Sequence, residues 1–261
     1  MIHNITIAAM FAPLIFSFLF FVGLIIFYKK RIGVSVKPIV VGAIGFFVFT
    51  QVLEKILHLL VVTNFPNYAD HPWLFGMYGG LAAGIFEEIG RFILFTWLLK
   101  KYHDYKDGIS FGIGWGGIEA ILLMLTMILP NIIFAFMINA GTFEKSLAGQ
   151  MPADQLVTIK ETLLSQGASH YLWGIFERFF AVFLQIFLSL LVLLGVVKKK
   201  FSYVIFAVFL HAVIDFPLVF FQTGHVTSLW IVEVYVALLG ILSMIFIQKS
   251  KKWFEQRDVS L

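Results

Sequence analysis

Seven stretches of about 20 or more apolar residues, joined by short polar connections, govern what this chain can fold into: roughly 5–28, 37–62, 73–99, 109–134, 171–197, 201–222 and 229–248. Each is long enough to cross a hydrocarbon core about 30 Å thick as a helix, which satisfies its own backbone polar groups where no water is present to do so. The chain is therefore expected to be an all-α, polytopic transmembrane helical bundle of about seven membrane helices. A composition of 60% hydrophobic and 13% charged residues excludes an ordinary soluble domain. No repeat or long linker divides the sequence, so residues 1–261 read as a single integral-membrane domain.

The formal charge of +4 does not indicate a nucleic-acid partner, because 14 of the 19 basic residues sit in alternate connections and the tail. These are Lys29 to Arg31 and Lys37, then Lys100, Lys101 and Lys106, then Lys198 to Lys200, and finally Lys249, Lys251, Lys252 and Arg257. The other connections carry only Lys145 and Lys160. By the positive-inside rule the N-terminus is expected outside and the C-terminus in the cytoplasm, in a bacterial plasma membrane. The first apolar stretch lacks a basic segment before it and runs straight into Lys29-Lys30-Arg31, which reads as a retained anchor rather than a cleaved signal. The absence of Cys excludes thiolate nucleophiles and Cys-ligated metal.

The one longer connection, about 140–170, is expected on the outer side. It contains an amphipathic interfacial helix opened by Pro152-Ala153-Asp154-Gln155, with Leu156, Ile159, Leu163 and Leu164 on one face and Gly167 closing it. Such a helix is either a docked connector or a gate over an outward cavity.

Within the spans lie groups that lipid does not tolerate without a reason. Glu54, Lys55 and His58 fall in the second, Glu87, Glu88 and Arg91 in the third, Glu119 in the fourth, Glu177 and Arg178 in the fifth, His211 and Asp215 in the sixth, and Glu233 in the seventh. Seven carboxylates face three fixed cations. The excess acids must be protonated, hydrated in a polar cavity or neutralised by a bound cation, and each of these implies function.

Spacing sharpens the point. Glu87 and Glu88 lie four and three residues before Arg91, and His211 lies four before Asp215, so each group shares a helix face. Asp215 can then orient the His211 ring. Glu177 and Arg178 diverge by about 100° on a helix, and only one of them is expected to reach a common site. Glu87, Glu88, Glu119 and His211 fall near the midplane, whereas Glu54, His58, Glu177, Asp215 and Glu233 are displaced outward, which predicts a polar volume widening toward the outside. Amide hydrolysis needs a base for water, positive charge for the oxyanion and an acid for the leaving amine, and this set contains all three.

Glu87-Glu88-x-x-Arg91, the Gly-rich fourth span with Trp115-Gly-Gly-Ile-Glu119, and His211-Ala-Val-Ile-Asp215 together resemble the YhfC-like membrane peptidases. That family is similar to the CAAX-protease and bacteriocin-processing (CPBP) proteases, the PrsW proteases and the Aph-1 subunit of gamma-secretase. The resemblance implies hydrolysis of a membrane-associated peptide or protein substrate at a water-filled site within the bilayer. Glu87 or Glu88 would activate water, with Glu119 and His211 as further catalytic residues and Arg91, Glu177, Arg178 and Asp215 supporting them. In the CAAX-protease branch the second motif ends in His and the third carries Asn, where this chain has Glu119 and Asp215. Both a metal-free glutamic mechanism and one assisted by a divalent metal such as zinc, on Glu88, Glu119 and His211, stay open.

Other classes are weaker. The Gly112-x-Gly114-x-x-Gly117 string has no strand before it and suits helix packing through Gly112 and Gly116. A proton- or ion-coupled transporter or channel would also use intramembrane acids, but no internal repeat supports it. An inactive scaffold of the Aph-1 kind is the third reading.

Overall fold

The computed structural model describes residues 1–255 apart from 223 and 227. It is an all-α bundle, and among the described residues no strand is formed. Helix α1 spans Asn4–Ile32, α2 Val36–Phe46, and α3 Lys55–Asn64, the last two joined by a π-helical segment, Phe47–Glu54. After a short 3₁₀ turn come α4, Pro72–Trp97, and α5, Tyr105–Asn139. The connection that follows carries α6, Phe143–Leu147, and α7, Ala153–Ser165, before α8, Ala168–Val197, α9, Ser202–Gln222, and α10, Leu229–Glu255.

Among the described residues six helical stretches are long and apolar enough to cross a membrane: α1, the continuous α2–π–α3 stretch, α5, α8, α9 and α10. Helix α4, the seventh expected from the sequence, matches them in length, but Glu87, Glu88 and Arg91 lower its apolarity. Its place in the bundle is nonetheless fixed by α9, along which it runs antiparallel. Trp73 meets Phe220 at one end and Phe92 meets Phe201 at the other. Between them the backbone carbonyls of Ala212 and Val208 lie where a β-carbon on Gly80 or Gly84 would go, 2.5 Å from each. Glycine is thus what brings α4 onto α9, and with it Glu87 and Glu88 toward His211.

Local signals explain the helix ends. Gly33, at φ 72°, closes α1 in the left-handed region, just after Lys29, Lys30 and Arg31 have set positive charge at the carbonyl end. Pro72 opens α4, where its missing N–H is not needed. Asp104 and Asp107 form a capping box at the start of α5.

The centre of the bundle is α8, buried almost continuously from Val182 to Gly195 and in contact with α1, α4, α5, α9 and α10. Helix α5 packs on α8 through Gly112 and Gly116, as expected, and on α2 through Gly114, which faces the Ile39 carbonyl. Helix α7 is docked: Leu156 and Leu163 are buried in a cluster with Met10, Ile132, Phe143 and Tyr171, while Leu164 stays exposed. By contrast α3 buries none of its residues and rests chiefly on the π-helical segment it grows from.

Candidate active site

Two Glu–Arg groups occupy the interior, one above the other. The inner one is built on α4. Arg91 donates through Nη2 to Glu87 Oε2 at 2.8 Å and through Nη1 to Glu88 Oε1, as the i, i+4 and i, i+3 spacings require. The same guanidinium donates to Gln185 Oε1 on α8 and lies over the Trp115 ring of α5 at 4.5 Å, a cation–π contact. Trp115 in turn donates through Nε1 to Glu87 Oε2 at 2.9 Å. Glu88 and Arg91 are fully buried.

His211, brought in by the glycine-lined packing of α9 on α4, completes the centre. Its Nδ1 lies 2.6 Å from Glu88 Oε1 and its Nε2 lies 3.3 Å from Asp215 Oδ2. The 2.6 Å contact requires a proton between Nδ1 and Glu88 Oε1, and Nδ1 offers a lone pair to a ligand only when that proton is displaced, with Nε2 then donating to Asp215. One ligand atom from each of Glu87, Glu88 and His211 lies within 4.8 Å of the other two. Glu88 Oε2 is buried without a hydrogen-bond partner.

This donor set fits a divalent cation on three counts. Two carboxylates and one imidazole are three protein ligands, the number that leaves a coordination position open for chemistry. Asp215 behind the imidazole is the usual carboxylate support of a metal-bound His. Glu87, Glu88 and Asp215 against Arg91 leave two uncompensated negative charges when His211 is neutral, the charge a divalent ion cancels. The set expected from sequence was Glu88, Glu119 and His211. In the structure Glu87 lies beside Glu88 and His211, and Glu119 pairs with Arg178 of α8.

The outer group consists of Glu119, Glu177 and Arg178. Arg178 donates through Nη1 to Glu119 Oε1 at 3.3 Å and through Nη2 to Glu177. Both neighbours therefore reach the site, although they diverge on the helix, because the long Arg178 side chain folds back toward Glu177. Glu119 Oε2 and Arg178 Nε are buried and unpartnered.

A cavity of about 100 Å³ joins the groups, with Glu87, Glu119, Glu177, Arg178, His211 and Asp215 in its wall, enough for a few waters. It continues into a wider one of about 530 Å³ that keeps Glu119, Glu177, Arg178 and Asp215 and adds His58, Phe75 and Met127. The polar volume widens away from the Lys-rich connections, as the depth of the acids predicts. His58 stands at its edge, its Nε2 donating to the buried Glu54 Oε1 at 3.1 Å and its Nδ1 paired with Tyr78 Oη at 2.6 Å. Lys55 faces outward on α3. Glu233 is buried on α10, a helix packed on α8.

Sequence reasoning missed Gln185 and the hydrogen-bonding part of Trp115. A signal existed for the first: Gln185 is a lone amide inside the apolar run Phe179–Leu194, where an unpaired polar group would be costly.

The fold and the site define a multi-pass α-helical membrane protein with a buried carboxylate–imidazole centre open to a water-sized cavity. A family model described as YhfC intramembrane metalloprotease matches residues 16–236, and the chain belongs to this family. It is also 39% identical over 242 residues to the uncharacterized membrane protein YhfC of Bacillus subtilis (strain 168), an alignment covering 92% of this chain and 94% of that one. No solved structure matches it.

Proposed function

We propose that the protein is an intramembrane peptidase that hydrolyses a peptide bond of a membrane-associated substrate, with its catalytic residues Glu87, Glu88, Glu119 and His211. The observation that carries this reading is the convergence of Glu87, Glu88 and His211, of which Glu87 and His211 line a polar cavity. The family's description as a metalloprotease agrees with it.

In this reading Glu87, Glu88 and His211 hold a divalent metal such as zinc. When bound, the metal supplies Lewis-acid polarisation of the scissile carbonyl and makes water easier to deprotonate. Arg91 and Trp115 fix the Glu87 carboxylate, and Asp215 fixes the tautomer of His211. Glu119 is the proton carrier: Arg178 holds it in the cavity wall, from which its carboxylate takes a proton from the attacking water and delivers it to the leaving nitrogen. One water is consumed, the C–N bond breaks, and a carboxylate and an amine result.

The cavity opens away from the basic connections, so substrate reaches it from the outer leaflet of a bacterial plasma membrane, with the N-terminus outside and the C-terminus in the cytoplasm.

The test uses purified protein in detergent and a library of membrane peptides. Wild type should cleave a subset, and Glu88→Gln, Glu119→Gln and His211→Ala should each abolish cleavage, as should a chelator, with zinc restoring wild type alone. Unimpaired cleavage in all three variants would reject the site, and ion flux in liposomes without cleavage would reject the class.

A further inference from the structure

The wide cavity has an apolar rim and a charged floor. Val62 of α3, Phe75 of α4, and Leu123 and Met127 of α5 form the rim, while Glu119, Glu177, Arg178 and Asp215 form the floor. Three acids meet one fixed cation there. Arg178 is shared between Glu119 and Glu177, so it cancels one of the two. Asp215 is turned toward His211 at the inner end.

Two groups on this floor are themselves more than nine-tenths buried and have an unmet atom, Glu119 (9% exposed) through Oε2 and Arg178 (7% exposed) through Nε. One is an acceptor and the other a donor. From this arrangement we propose that the floor is a specificity subsite for a membrane-embedded peptide segment bearing a lysine or arginine within a few residues of the scissile bond. The acid excess takes the cationic side chain, and the apolar rim covers the flanking residues.

Depth excludes a lipid headgroup as the natural occupant. Glu119 lies 20 residues from Asn139 and 14 from Tyr105, so about 30 Å and about 21 Å of helix separate it from the two ends of α5. An acyl chain reaches that depth but would set methylenes against four ionisable groups. A peptide supplies both the cation and the apolar flanks.

The proposal rests on the cavity leading to the peptidase site, yet it is tested by binding without turnover. Wild-type protein in phosphatidylglycerol nanodiscs is titrated with three fluorescent Leu/Ala transmembrane peptides that carry Lys, Leu or Glu at the centre. The Lys peptide should bind at least about tenfold more tightly than the Leu peptide, with the Glu peptide weakest. Glu177→Gln should cut that preference several-fold, and Glu177→Asp should retain it, which separates charge from a folding defect. Equal binding of the three peptides, or an unchanged preference in Glu177→Gln, would overturn the subsite. So would loss of the preference when phosphatidylethanolamine is added, which would assign the floor to a headgroup amine. A Lys preference in a protein that cleaves no peptide would retain the subsite and reject the peptidase reading.

Discussion

The two Glu–Arg groups use the same ingredients, two glutamates and one arginine, and differ in what surrounds them. Around Arg91 both terminal nitrogens are taken, by two carboxylates on its own helix and an amide from α8, and an indole face from α5 covers the guanidinium, which leaves Nε alone without a partner. Around Arg178 the partners are one glutamate across the helix gap and one beside it, and the rest of the space is cavity. Each group keeps one arginine Nε and one glutamate Oε2 without a partner, but the first is a frame closed by three helices and the second faces a cavity. Burial alone does not distinguish them, since both arginines are enclosed; the number of helices that contribute a partner does.

The largest effect follows from breaking the frame. Replacing Arg91 with Leu leaves Glu87 and Glu88 buried beside each other without their cation, which should destabilise the fold by about 3–5 kcal/mol and abolish cleavage. The matching change at Arg178 should cost only about 1–3 kcal/mol, because Glu119 and Glu177 can be hydrated from the cavity. Denaturation of the two variants in the same detergent compares them directly, and equal losses would remove the distinction. Arg91→Lys should recover part of the stability but little activity, since an ammonium cannot reproduce the planar fork shared by two carboxylates.

Next come the groups that act on chemistry more than on stability. Glu119→Gln should lower the cleavage rate by about 10²–10⁴-fold, to below detection in the peptide library, and His211→Ala should abolish it, both with folding intact. Asp215→Asn should cost about 10–100-fold in zinc affinity or rate, because it leaves the ligand in place and loosens its orientation. Zinc binding by calorimetry separates these: it should fail in His211→Ala, weaken in Asp215→Asn and persist in Glu119→Gln.

The frame was largely readable from the chain, and the reason is local. Glu87, Glu88 and Arg91 share a face by helix geometry alone, and so do His211 and Asp215. What could not be read is anything set by the register between helices. Spacing does not say that Glu119 sits opposite Arg178 rather than beside His211, nor that Gln185 points at Arg91. The π-helical segment was also hidden, because Phe47–Glu54 has the composition of any membrane helix. Its wide turn accompanies an inward-facing Glu54 and a His58 four residues later that ties α3 to Tyr78. The glycines of α4 lie between these cases: their four-residue repeat at 76, 80 and 84 is visible, but the helix they admit is not.

That repeat gives a smaller, steric prediction. A β-carbon at Gly84 would press on the Val208 carbonyl, so Gly84→Ala should cost about 1–3 kcal/mol and weaken cleavage by moving Glu88 off His211. Gly79→Ala is the control, since its nearest neighbour would be the Val219 side chain at 3.6 Å, ordinary contact. Equal effects at the two positions would show that α4 does not depend on close approach to α9.

The smallest effect belongs to a third acid–base pair, on the outer connection, with no enclosure at all. Lys160 donates to Glu144, and this hydrogen bond holds the Glu144 carboxyl below its usual range, but both side chains stand in solvent. A depressed carboxylate contributes stability that is present above its unfolded value and lost as pH falls through the folded one, so whatever the pair contributes at neutral pH should vanish in acid. Solvent and salt screen it to near nothing. Lys160→Ala should therefore unfold at the same temperature as wild type at pH 7, and lowering the pH should open no gap between them. A measurable loss at pH 7 that disappears in acid would mean that proximity of opposite charges, rather than the helices closing around them, sets the strength of these pairs, and the contrast between Arg91 and Arg178 would need another cause.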